Sequence, residues 1–197
     1  MIKIFGDPIS GNCLKVKWAC ERLGIPFTWT NVDVVKQETR TEAFLAMNPA
    51  GQVPTVLLED GRPLAQSNAI LLFLAEGSDL IPPDSYERAK MLEWLFWEQY
   101  SHEPYVAVAR FQMKELGKAR SELDPKLIER GDAALKRLEG ALSGAKFLAG
   151  GRLSLADLSL VAYTRMAGDG GFDLARYPAV QAWIARVEAA VPIRDPA

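Results

Sequence analysis

The first 77 residues switch between two hydrophobic rhythms. Residues 1–5 set Ile2 and Ile4 on either side of Lys3, the alternation of a short strand, and Gly6-Asp7-Pro8 ends it. Asn12 to Leu23 carries Leu14, Val16, Trp18, Ala19 and Leu23 at helical spacings and is stopped by Gly24 and Pro26. Phe27 to Val34 alternates again, with β-branched and aromatic residues, and predicts a second strand. A β-α-β unit of this length implies parallel strands and a right-handed crossover. Thr41 to Met47 predicts a short helix closed by Asn48-Pro49. Val53 to Leu58 predicts a third strand, Asp60-Gly61 a tight turn, and Pro63 to Ala65 a fourth strand paired with the third as a hairpin. Ser67 to Glu76 then returns to helical spacing.

Beyond residue 77 the alternating rhythm disappears. Residues 78–85 contain Pro82-Pro83 and read as a linker. Tyr86 to about Gly117 is helical, with a kink expected at Pro104. Pro125 to Leu142 is a further helix with Leu135, Leu138 and Leu142 on one face, and Pro178 opens a last helix that buries Trp183 and Val187. The expected fold class is therefore α/β plus all-α: a small α/β domain over 1–77, a linker over 78–85 and an α-helical bundle over 86–197. The order β-α-β-α-β-β-α, with a parallel pair and a hairpin in one sheet, is the thioredoxin-like arrangement.

Composition narrows the chemistry. The 197 residues are 49% hydrophobic and 24% charged with a net charge of −2, an ordinary globular balance that argues against a nucleic-acid partner. No apolar run approaches the roughly 20 residues of a membrane span, and no basic-then-apolar leader opens the chain. These features predict a soluble cytoplasmic protein. Two cysteines and one histidine, Cys13, Cys20 and His102, cannot supply a zinc site. Cys13 and Cys20 on one helix stand about 10.5 Å apart, too far for a disulfide.

Three stretches carry candidate chemistry. Ser10-Gly11-Asn12-Cys13 lies where the first strand feeds the first helix, the place where a helix N-terminus stabilises a thiolate. A serine there either caps the helix or donates its hydroxyl to another molecule's thiolate. In Asn48-Pro49-Ala50-Gly51-Gln52-Val53-Pro54 a proline opens a strand, which fits an edge or a cis Val53-Pro54 bond. Such a bond leaves the backbone groups of Val53 open to an extended peptide, and a plain turn is the other reading. Gln66-Ser67-Asn68 enters a helix, where Ser67 suits either a cap or a carboxylate-binding helix start.

The order and spacing of these stretches resemble the cytosolic glutathione transferases, in particular the theta-like and bacterial serine-type members. Ser10 to Cys13 resembles their Ser-x-x-Cys loop, Asn48 to Pro54 their Asn-Pro-x-x-x-Val-Pro stretch, and Gln66 to Ile70 their Glu/Gln-Ser-x-Ala-Ile motif. Ser154-Leu155-Ala156-Asp157 resembles the family's N-capping box, and Gly171-Phe172-Asp173 and Tyr177-Pro178 through Trp183 follow its pattern. The resemblance covers nearly the whole chain. It implies a glutathione-binding first domain, with Ser10 facing the glutathione sulfur, Val53 binding the cysteinyl backbone, Gln66 and Ser67 the γ-glutamyl group, and Gln52 near the glycyl carboxylate. Where theta-like members place a histidine for that carboxylate, this chain reads Lys36-Gln37-Glu38-Thr39-Arg40, so Lys36, Gln37 or Arg40 takes its role. Phe5 and Gly11 stand where some relatives carry a tyrosine and a cysteine. The implied activity is conjugation of the glutathione thiolate to a small hydrophobic electrophile by a homodimer. Glutathione serves as co-substrate, with no permanently bound cofactor. Disulfide or peroxide reduction with glutathione and non-catalytic glutathione binding are the alternatives.

Overall fold

The computed structural model describes residues 1–193, so the last four residues of the expected helical region 86–197 lie outside the described part. The chain divides into two compact units, residues 1–78 and 79–190, and Val191 returns to the first.

In the first unit, β1 (Ile2–Gly6), β2 (Phe27–Asn31), β3 (Thr55–Leu57) and β4 (Pro63–Ala65) form one sheet in the order β2-β1-β3-β4. β1 pairs parallel with β2 and antiparallel with β3, and β3 pairs antiparallel with β4. The alternation in β1 holds: Ile2 and Ile4 are buried and Lys3 is exposed. The helices are α1 (Gly11–Leu23), α2 (Glu42–Met47) and α3 (Ser67–Leu74), and α1 packs against α3. Leu14, Val16, Ala19, Ile70 and Leu71 are all buried. Gly6 closes β1 where a Cβ would come 2.6 Å from the Trp29 ring and 3.1 Å from the Cys13 Cβ. Only glycine fits without a shift of these neighbours.

Two strands are shorter than the sequence pattern predicts. β2 stops at Asn31 because the Val32 N–H makes one last bond to the Gly6 carbonyl (3.0 Å) and the chain then turns away. β3 starts at Thr55 because Pro54 has no N–H to give to the ladder. β4 begins on Pro63, which an edge strand tolerates.

The second unit is helical: α4 (Ser85–Trp97), α5 (Glu103–Arg110), α6 (Pro125–Leu142), α7 (Leu155–Thr164) and α8 (Pro178–Ala190). Within the segment expected as a linker, Leu80, Ile81 and Pro82 are buried and the Leu80 carbonyl accepts the Leu155 N–H (3.0 Å). The expected kink at Pro104 takes the form of a π-helical turn at Glu98–His102 between α4 and α5. The proline ring would strike the carbonyl one turn back, and the wider turn moves that carbonyl aside. His102 ends this turn, fully buried, with Nε2 3.0 Å from the Thr164 hydroxyl. That hydroxyl gives its hydrogen to the Leu160 carbonyl (2.6 Å), so Nε2 is the donor to it. Among the described residues no helix is long and apolar enough to cross a membrane.

α7 is buried at all ten positions, and its first turn is organised by the carboxylate of Asp157. Oδ2 accepts from the Ser154 N–H and hydroxyl (2.9 Å each), and Oδ1 from the Leu148 N–H and the Trp183 indole N–H (2.9 Å each). Burial pushes the Asp157 carboxyl above its ordinary range, and these donors pull it back. The residue thus joins three segments, where the sequence suggested only a helix cap. Asp157→Ala leaves several buried donors unpaired and should cost on the order of 3 kcal/mol, more than the roughly 0.5–2 kcal/mol of a cap. Thermal unfolding should show a midpoint lower by roughly 10 °C, with unchanged turnover per folded molecule.

α6 contains two glycines in opposite situations. A Cβ on Gly131 would overlap the ring of buried Phe172, whereas one on Gly140 would meet nothing within 4 Å. Gly140→Ala should therefore stabilise by about 0.5–1 kcal/mol through helix propensity. Gly131→Ala gains the same propensity but overpacks Phe172 at about 1–3 kcal/mol, for a net loss. Denaturant midpoints that move in opposite directions would establish the contrast.

Candidate functional site

The sheet register gathers the candidate residues. Phe5 pairs with Thr30 on one side and Thr55 on the other, and Thr55 pairs with Ala65. One row therefore crosses all four strands, and each strand meets a loop at the same edge. Gly6 to Ser10 follows Phe5, Val53-Pro54 precedes Thr55, Gln66-Ser67 follows Ala65, and the segment holding Gln37 and Arg40 follows β2. Candidates from Ser10 to Ser67 thus share one edge because β1, β2 and β4 run one way and β3 the other.

Ser10 occupies the N-cap position of α1, and its carbonyl accepts from the Cys13 and Leu14 N–H groups (3.0 Å each). Its side chain makes no capping bond to the helix backbone, so the reading of Ser10 as a side-chain cap does not hold. The hydroxyl instead hydrogen-bonds the Cys13 sulfur, which also accepts the Asp7 N–H at 3.4 Å. Cys13 is fully buried, and burial pushes its thiol up to about 12 against the pull of those two donors. Cys20 is likewise buried and pushed up to about 12, by burial first and by Glu21 second. Neither thiol supplies a thiolate near neutral pH.

The Val53-Pro54 bond is cis, and the loop before it is shaped by Asn48, which is buried. The Asn48 amide donates to the Gln52 carbonyl (2.8 Å) and to the Thr55 hydroxyl (3.1 Å), and its oxygen accepts the Ala50 N–H (3.2 Å). Val53 is half-buried and Gln52 is exposed. The sequence pattern read Asn48 as a helix stop and as the first residue of the Asn48 to Pro54 stretch, and its side-chain role needs the folded loop.

Gln66 precedes α3 at φ 69° and ψ 107°, a conformation that costs a non-glycine residue of order 1–3 kcal/mol and persists where surroundings enforce it. Ser67 begins α3, buried, and its hydroxyl donates to the Asn12 side-chain oxygen at 3.1 Å. Asn12 lies in the first turn of α1, so this bond draws the starts of α1 and α3 together. Neither Asn12 nor Asp7 was recognisable as a site residue from sequence pattern.

The segment after β2 sorts its three cationic and amide candidates. Lys36 pairs with Asp33 at 2.9 Å. Gln37 is exposed and left-handed (φ 61°). Arg40 lies against Gly51, where a Cβ would overlap its guanidinium, and this sets a positive charge beside the Gly51-Gln52-Val53 backbone. The edge therefore brings together a hydroxyl at one helix start, the half-buried Val53, a second helix start at Ser67 and a guanidinium, groups that can bind an anionic ligand.

The chain matches the models of the glutathione S-transferase N-terminal domain over residues 9–76 and C-terminal domain over residues 94–190. A glutathione S-transferase structure from Pseudomonas fluorescens Pf-5 is 49% identical with a TM-score of 0.93, covering 95% of this chain and 94% of that one. Glutathione S-transferase F10 of Arabidopsis thaliana is 31% identical, covering 72% of this chain and 69% of the relative. The disulfide-bond oxidoreductase YfcG of Escherichia coli K12 is 29% identical over 95% of this chain and 90% of its own length. With both of its units matched in order, the chain belongs to the cytosolic glutathione S-transferase family, enzymes that use glutathione as co-substrate.

Proposed function

We propose that this enzyme conjugates glutathione to a small hydrophobic electrophile, in the cytoplasm and as a homodimer. The observation that carries the reading is the Ser10 hydroxyl at the start of α1, at the edge shared by Val53 and Ser67, with the neighbouring Cys13 thiol buried and pushed up to about 12. In this reading the glutathione sulfur lies against Ser10, Val53 pairs with the cysteinyl backbone, Gln66 and Ser67 hold the γ-glutamyl end, and Gln52 and Arg40 meet the glycyl carboxylate. Arg40 is preferred to Gln37 because of its place against Gly51.

The energetics are sufficient. One pKa unit is about 1.4 kcal/mol. A hydroxyl bond to an anion, formed when the Ser10 hydroxyl turns from the Cys13 sulfur to the bound one, contributes about 1.5–3 kcal/mol and a helix start about 0.3–1 kcal/mol, enough to lower a bound thiol by one to two units. The thiol proton leaves to solvent, and the thiolate sulfur forms a bond to the electrophilic carbon. The leaving group departs with the electron pair of the bond that breaks.

The name of the Escherichia coli relative favours a second reading, in which the acceptor is a disulfide. With Cys13 buried, the attacking thiolate there would again be that of glutathione. A thermal-shift titration with glutathione separates either enzyme from an inert fold. Turnover of 1-chloro-2,4-dinitrobenzene against that of hydroxyethyl disulfide then separates the two reactions.

Ser10→Ala should raise the pKa of the bound thiol by about one unit, read by ultraviolet titration of the thiolate. Cys13→Ala should leave it unchanged, and iodoacetamide at pH 8 should label neither cysteine without denaturant. Lost activity in Cys13→Ala with full activity in Ser10→Ala would reverse the assignment.

Sedimentation at micromolar concentration should give twice the mass of one chain. A single-chain mass would refute the homodimer.

A further inference from the structure

Asp7 follows β1, is only 4% exposed, and uses four of its groups at once. Its carbonyl accepts the Ser10 N–H (3.0 Å), and its N–H donates to the Cys13 sulfur (3.4 Å). One carboxylate oxygen accepts the Ile9 N–H (3.1 Å) and the other the Val34 N–H (2.8 Å), 27 residues away. The residue that shapes the Ser10 loop therefore also grips the segment after β2.

That segment is a stiff bracket. Val34 starts a turn closed by the Gln37 N–H on the Val34 carbonyl (3.2 Å). The Glu38 carboxylate accepts the Asp33 N–H (2.7 Å), and the Asp33 carboxylate accepts the Lys36 N–H (2.9 Å). A single 3-10 turn, Glu38–Arg40, follows and delivers Arg40 to Gly51. Fixing Val34 in this bracket fixes where Arg40 stands.

We propose that Asp7 is a positioning residue that couples the two ends of the glutathione site, holding the Ser10 loop at a set spacing from the segment that carries Arg40. This rests on the assignment of Ser10 to the sulfur and Arg40 to the glycyl carboxylate. The residue type suits the task. A carboxylate has two equivalent acceptors and no donor, so it satisfies two N–H groups that face it from different segments. An amide of the same shape presents an NH2 to one of them and must release it. The coupling acts on a ligand that spans both ends and is silent for one that reaches only the sulfur end.

The test measures glutathione and γ-glutamylcysteine, which lacks the glycyl residue, by calorimetric titration of wild type, Asp7→Asn and Val34→Pro. Val34→Pro removes the far donor and keeps Asp7, so each variant decides independently and either suffices if the other fails to fold. Wild type should bind the tripeptide more tightly than the dipeptide. In the variants glutathione affinity should fall about tenfold, the order expected for losing one hydrogen bond to a charged group. The dipeptide should change by less than about twofold, so that the preference for the tripeptide collapses. Equal losses for both ligands would mark Asp7 as a general support of the loop and overturn the coupling, as would no loss at all. Wild type that binds neither ligand would instead sink the glutathione reading itself, and with it this inference.

Discussion

The site depends on the register of the β1–β3 pair. Phe5 lies opposite Thr55, so the chain leaving β1 and the chain entering β3 meet at one edge of the sheet. Parallel pairing with β2 and the hairpin to β4 bring two further loops to that edge. A slip of one residue would turn Val56 away from the core and shift Val53 relative to the loop that follows β1. Burial of Ile4 and Val56, both fully enclosed, prevents the slip. Core packing and site geometry are one constraint here.

Each unit contains a buried aspartate that binds donors from distant segments. Asp157 joins the start of α7 to the backbone at Leu148 and to Trp183 in α8. Asp7 joins the Ser10 loop to the turn after β2. Desolvation makes a buried carboxylate costly, and several N–H donors make it tolerable. Once satisfied, it fixes the distance between pieces of chain that no secondary structure connects.

The electrostatics of the edge favour an incoming anion over a nucleophile of the protein's own. Cys13 stands where a thioredoxin-like scaffold can carry a reactive thiol, but it is buried, and loss of solvation outweighs the two hydrogen bonds that its sulfur accepts. Ser10, half-buried, and the start of α1 supply a hydroxyl and the positive end of a helix in the same loop.

Local pattern determined much of this protein. Alternation at Ile2 and Ile4, helical spacing from Leu14 to Leu23 and the proline and glycine stops gave the element order, because each follows from neighbours within a few residues. The family pattern from Ser10 to Ile70 marked the candidate site residues. Strand ends were less legible, since β2 stops where Val32 makes its last ladder bond and β3 starts where Pro54 has no donor. Tertiary structure alone decided the partners: Ser10 with Cys13, Ser67 with Asn12, Arg40 with Gly51, Asp157 with Trp183. It also buried Leu80 to Pro82 within the expected linker and gave the expected kink the form of a π turn. A one-dimensional pattern records which side chains prefer burial, but the donor that meets a buried acceptor is fixed only when distant segments close on it.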